Sequence, residues 1–140
     1  MAIWVRPESL QAQGNHLVGT IPARVGDNLW HLTLLERGHP RFTVSQLQEE
    51  GGVDVDSSVA VRAGGWAHVA GVSDGRRVKL FVNGAPAGDR PLTPRAIGRR
   101  PASTRLRLGN ATVYAQWAYS GELDDLRLWR RALGPDEIVA

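Results

Sequence analysis

Cysteine is absent from the 140 residues, which excludes disulfide staples, thiolate metal ligands and a cysteine nucleophile. Packing has to hold the fold. Lysine is nearly absent too, with Lys79 standing against sixteen arginines. No apolar run approaches the roughly 18 residues that cross a bilayer, so no membrane insertion is expected. The opening Met1-Ala-Ile-Trp-Val-Arg-Pro7 lacks the basic start and apolar stretch of a secretory leader, so an export signal is expected only in a longer precursor. Helical periodicity is also missing, as are the motifs of common catalysts: there is no Gly-x-Ser-x-Gly elbow, His-Glu-x-x-His pair, phosphate-binding glycine loop or dinucleotide fingerprint. The four histidines, His16, His31, His39 and His68, show no metal-ligand spacing. The net charge of +3 is weak for this length, and no recognition helix, zinc spacing or RNA-binding strand motif accompanies it, so nucleic acid is not an expected partner.

What is present is punctuation. Sixteen glycines and eight prolines separate short segments rich in Val, Leu, Thr and Trp, the pattern of strands joined by turns. Strands are predicted at 3–6, 16–21, 29–35, 41–47, 53–62, 66–73, 78–83, 104–108 and 123–130. Val78, Leu80 and Val82 alternate with Lys79 and Phe81, and Val59 and Val61 flank Ala60, so each set is expected on one buried face. Asn83-Gly84 supplies the two positive-φ residues of a type I′ hairpin, and Asp74-Gly75 is a second signal of that kind. Together they predict a three-stranded meander. Residues 90–103 read as a long surface loop, and one helical turn is expected after Leu133. The sum is a single all-β domain over 1–140, two antiparallel sheets packed as a β-sandwich.

Particular residues narrow this further. Trp66-Ala-His68-Val69-Ala70, then Asp74-Gly75, Leu80-Phe-Val82-Asn83-Gly84, Leu108-Gly109-Asn110, and Gly121-Glu-Leu-Asp124-Asp125-Leu-Arg-Leu-Trp129 through Leu133 and Glu137-Ile138 resemble the signature of laminin G-like jelly rolls. Trp4-Val-Arg-Pro7 resembles the family's early strand. The resemblance implies a concanavalin A-like jelly roll, extracellular or periplasmic, that binds carbohydrate or protein as part of a longer protein. Family members begin with a further strand carrying an Asp-Gly stretch, which lies beside the equivalent of 123–129. Its absence here would leave an open sheet edge, as a fragment, a reduced variant or a homodimer through that edge would each explain.

Candidate sites follow. Asp124 and Asp125, with Asn110 and the lower-grade Asp27 and Asn28, could supply oxygen ligands to a structural Ca²⁺, which many relatives bind. Alternatively, these aspartates cap a turn or pair with Arg127 or Arg130. Tyr114, Trp117 and Tyr119 form an aromatic cluster suited to stacking on a pyranose face. Arg95, Arg99 and Arg100, followed by Arg105 and Arg107, suit an anionic glycan, or are solvated loop charge. Trp4, Trp66 and Trp129 are read as packing residues. Glu122 and Asp124 are the one pair that could serve a glycan hydrolase or lyase, spaced two strand residues apart. The expected function is a non-catalytic binding module.

Overall fold

The computed structural model describes residues 1–12, 14–21, 30–44, 53–92, 105–110 and 115–138. Its strands are β1 (Ala2–Pro7), β2 (Asn15–Ile21), β3 (Trp30–Leu34), β4 (Pro40–Val44), β5 (Val53–Asp56), β6 (Ala67–Ser73), β7 (Arg77–Val82), β8 (Ala85–Pro91), β9 (Arg105–Leu108) and β10 (Gly121–Arg127). They form two five-stranded antiparallel sheets, A in the order β10-β1-β6-β7-β8 and B in the order β5-β4-β3-β2-β9.

Alternation decides which side chains meet between the sheets. Ile3, Val5, Val69, Val78, Leu80 and Val82 from sheet A face Leu17, Val18, Leu32, Leu34, Phe42 and Val55 from sheet B in one buried cluster. Each such side chain contributes about 1.5–3 kcal/mol by leaving water. Phe42 of sheet B lies on Gly71 of sheet A: a Cβ there would sit 2.7 Å from the ring, so only glycine fits.

Phe81, expected on the solvent side of β7, is buried instead. With Ala2, Ala70, Val72 and Ile138 it makes a second cluster on the outer face of sheet A. The cover is Leu133 and Ile138, which flank the 3₁₀ turn Pro135–Glu137, the helical turn expected after Leu133. It is fixed by Arg131, whose Nη1 and Nη2 donate to Glu137 Oε2 and Oε1 at 2.7 and 2.6 Å. The Gly134 N–H also donates to Glu137 Oε2. These donors, Arg131 first, pull the Glu137 carboxyl down to about 2.

Asn83 and Gly84 take φ of 50° and 77°, as a type I′ hairpin requires. The Asp74-Gly75 turn works differently. Gly75 has positive φ but Asp74 does not; instead Asp74 Oδ1 accepts the N–H groups of Arg76 and Arg77 at 2.8 and 2.7 Å. Three other expectations need correction. Val59 is 48% exposed whereas Val61 is buried, because Ser57 Oγ bonds both the N–H and the C=O of Val59 and bends the chain out of β5. The expected loop at 90–103 begins later: Arg90 and Pro91 belong to β8, and 93–103 lies outside the described residues. Trp66 is 45% exposed and Trp129 is exposed as well, so neither is a core residue.

Candidate binding face

The sandwich is closed along one side, where β5 meets β8. On the other side β9 and β10 are the outermost strands, with Leu106, Leu108, Leu128 and Trp129 exposed and Leu123 and Leu126 partly tucked against the core.

The outer face of sheet B is polar because the core takes every second residue. Register aligns Arg107, Gly19, His31, Thr43 and Asp54 in one row, and His16, Thr33, Arg41 and Asp56 in the next. A β-bulge between His16 and Val18 lets Leu17 and Val18 both turn inward while His16 stays in its row. At the acidic end, Arg41 Nε and Nη2 donate to Asp56 at 2.6 and 2.8 Å, Arg41 Nη1 lies 3.3 Å from Asp54, and Thr43 Oγ1 donates to Asp54 at 2.7 Å. Those contacts, led by the Asp56 bond, raise the Arg41 pKa and lower that of Asp56.

The other end is different. His16 and Thr33 are 2% and 3% exposed, yet His16 Nε2, Thr33 Oγ1 and the neighbouring His31 Nδ1 have no hydrogen-bond partner. The His16 and His31 rings lie 6.3 Å apart. His31 crosses β2 over Gly19, where a Cβ would come within 2.5 Å of the His31 Cβ. The Arg107 backbone beside the His16 ring favours its charged form, and a neutral imidazole carries one donor and one acceptor nitrogen. Burial, then the charge of His31, pushes the His16 pKa down to about 4, and burial lowers that of His31. Both rings are neutral at pH 7.

The residues singled out from sequence are spread over the molecule. Trp117, in a 3₁₀ turn at Ala115–Trp117, leans toward this end of sheet B: a Cβ on Gly14 would lie 3.6 Å from Thr33 Cγ2 and 3.8 Å from Trp117 Cδ2. Tyr119 packs on the core and its hydroxyl donates to the Glu122 carbonyl at 3.2 Å; burial pushes its pKa up to about 12. Tyr114, Arg95, Arg99 and Arg100, with Asp27 and Asn28, lie outside the described residues. Asn110 is exposed after β9.

Asp124 and Asp125 lie on edge strand β10, where register slips opposite β1 and Asp125 takes φ 47°. Arg127 Nε and Nη2 hold Asp125 Oδ1 and Oδ2 at 2.9 and 2.8 Å, and Asp124 Oδ1 accepts the Asp125 N–H at 2.7 Å. A calcium ion here would have to displace Arg127, and among the described residues no three His, Asp or Glu side chains are grouped to hold a metal. Glu122 pairs with Arg6, whose guanidinium lies 5.7 Å from the centroid of the exposed Trp66 ring. Sequence reading passed over the sheet B rows. The signal was there, in Arg41-Phe-Thr43-Val and Val53-Asp54-Val-Asp56, but only register shows which strands share a row.

A family model for the concanavalin A-like lectin/glucanases superfamily, of the laminin G type, matches residues 1–139. The chain belongs to that family. No curated protein sequence is significantly similar to it. Among solved structures, this laminin G-like domain resembles the Ruminococcus gnavus IT-sialidase CBM40, with TM-score 0.75 at 20% identity over 98% of this chain and 78% of that one. That module has also been solved bound to α2,3-sialyllactose. Domain 4 of AbnA, an extracellular GH43 arabinanase of Geobacillus stearothermophilus solved with arabinotriose, gives TM-score 0.69 at 22% identity over 97% of this chain and 62% of that one. The heptameric SAP-like pentraxin of Limulus polyphemus gives 0.70 at 20% identity, over 97% of this chain. The domain spans 65% of the pentraxin chain. Identities this low establish a common fold. Among the described residues no helix is long and apolar enough to cross a membrane.

Proposed function

We propose that this domain is a non-catalytic module that binds carbohydrate on the outer face of sheet B, as an extracellular or periplasmic part of a longer protein. The observation that carries the reading is the contrast between the two outer faces. Sheet A is sealed at one end by Leu133 and Ile138 and has one buried atom without a partner, His68 Nδ1, whereas sheet B presents two polar rows with three such atoms grouped together. A buried polar group without a partner costs about 1–3 kcal/mol, a cost that a ligand rich in hydroxyls removes. The family, and neighbours solved with sialyllactose and arabinotriose, support the same class of ligand. Arg95, Arg99 and Arg100, outside the described residues, are proposed as contacts for an anionic glycan on the charge of their side chains alone.

A glycan array run with and without Ca²⁺ tests the reading. Binding to at least one glycan, lost in His31→Ala, is expected; an array with no binding at either condition would remove it. Turnover of a polysaccharide that disappears in Glu122→Gln would make the protein an enzyme instead. A second reading, assembly through the open side, is favoured by the exposed Leu106, Leu108, Leu128 and Trp129, and is tested by the protein's oligomeric state.

A further inference from the structure

We propose that His16, His31 and Thr33 form a subsite for an uncharged pair of neighbouring sugar hydroxyls, and that the anionic part of any ligand lies elsewhere. The proposal rests on the carbohydrate-binding reading and names the chemistry of one end of that face.

Three observations carry it. His16 Nε2, His31 Nδ1 and Thr33 Oγ1 are buried, unpartnered, and on adjacent strands of one face. The atoms are complementary to hydroxyls: a neutral imidazole carries one donating and one accepting nitrogen, and a threonine hydroxyl both donates and accepts, so groups that do both match them whichever nitrogen holds the proton. Of a neighbouring pair of alcohols, one can bond His16 Nε2 while the other bonds His31 Nδ1 and exchanges a further bond with Thr33 Oγ1, so that each of the three atoms has a partner.

The same atoms reject an anion. A carboxylate or sulfate accepts only and has no proton to give an accepting ring nitrogen, and protonating His16 to add a donor opposes its burial, which holds it neutral down to about pH 4. Of the cations on this face, Arg41 is already taken by Asp54 and Asp56, and Arg107 stands beyond Gly19 at the far end of the first row, where an anionic group would lie. The rows are open to solvent along partly exposed His31 and Arg107 and closed at His16 and Thr33, so a sugar ring entering from the open part would present its hydroxyls to the closed end. Trp117 stands beside that end.

The test titrates the whole chain, labelled at the histidine ring nitrogens, with arabinotriose, galactose, glucose and sialyllactose, and repeats the titrations with Thr33→Val, which deletes the hydroxyl at nearly constant size. The expected result is that a neutral saccharide shifts the His16 and His31 ring nitrogens, and that Thr33→Val weakens its binding about five- to tenfold, the worth of one hydrogen bond. Should Thr33→Val fail to fold, the ring-nitrogen shifts of the native chain decide. Binding that leaves these nitrogens unmoved would overturn the subsite while leaving the binding module standing. A shift caused by sialyllactose through its carboxylate, with neutral sugars inert, would also overturn it, as would ordered water exchanging at the three atoms with no sugar altering it. If no glycan bound anywhere on the array, the module reading itself would fall.

Discussion

His16 is an imidazole that the fold keeps neutral, and this has a sign. Its folded pKa of about 4 lies below the ordinary 6.5, so between those values the unfolded chain binds the extra proton and stability falls as pH falls. The loss begins near pH 6.5 and is complete below about pH 4. Two and a half units correspond to about 3 kcal/mol. His31 and His68, whose pKa values burial also lowers, act in the same direction. Urea unfolding at pH 7 and pH 4 is expected to show this loss, reduced in His16→Gln; equal midpoints at the two pH values would mean that the ring is solvated. Gly19 makes a second test. A methyl group there collides with His31, so Gly19→Ala is expected to cost about 1–3 kcal/mol by overpacking and to abolish glycan binding by displacing the ring, both readable from a denaturation curve and the array.

The elements show how far the residues foretold the fold. β7 was legible from the alternation of Val78, Leu80 and Val82, although Phe81 on its other face is buried too, whereas β5 ends at Asp56, short of the strand expected over 53–62. β8 was not delimited, because Pro86, Gly88 and Pro91 disguise it; as the outer strand of sheet A it tolerates prolines that a central strand would not. The C-terminal turn was legible from Gly134-Pro135-Asp136-Glu137, but its role as a cover for Phe81 was not, since that contact joins elements 57 positions apart in sequence. Of the candidate site, Trp117 was legible from aromatic clustering. The His16–Thr33–His31 group escaped because it depends on strand register and on a bulge, neither of which leaves a local mark. Ile138→Ala is expected to cost about 2–5 kcal/mol through the cavity left over Phe81, measured by urea midpoint. On β10, Arg127→Ala frees the Asp125 carboxylate. If these acids bind calcium, millimolar Ca²⁺ is expected to raise Tm more in that variant than in the native chain; identical curves with Ca²⁺ and with chelator in both proteins would end the calcium reading.

For the whole molecule, the two sides differ: β5 meets β8 on one, and β9 and β10 are outermost on the other with exposed leucines, the side through which a second copy would dock. On this side one outer strand carries Arg105 and the other Glu122, Asp124 and Asp125, of which Glu122 and Asp125 are already held by Arg6 and Arg127, and leucines are bared beside them. Two copies related by a two-fold axis along the strands would place β9 of one against β10 of its partner, matching unlike charges, whereas β10 against β10 would oppose like ones. Sedimentation is expected to detect a concentration-dependent dimer that Leu108→Glu disrupts; a monomer across the whole concentration range would leave this side without a second copy.

Met1 is bonded to Gly71 through both its amino group and its carbonyl, at 2.9 and 3.0 Å, and Ala2 shares a cluster with Ile138. Head and tail therefore leave the molecule as neighbours, on the sheet opposite the polar rows. A domain with that arrangement can be plugged into a loop of a host protein without stretching it. A circular permutant that splices tail to head and opens the chain in the Asp74–Arg77 turn should keep its thermal transition, and its sugar-facing surface would still point away from whatever carries it.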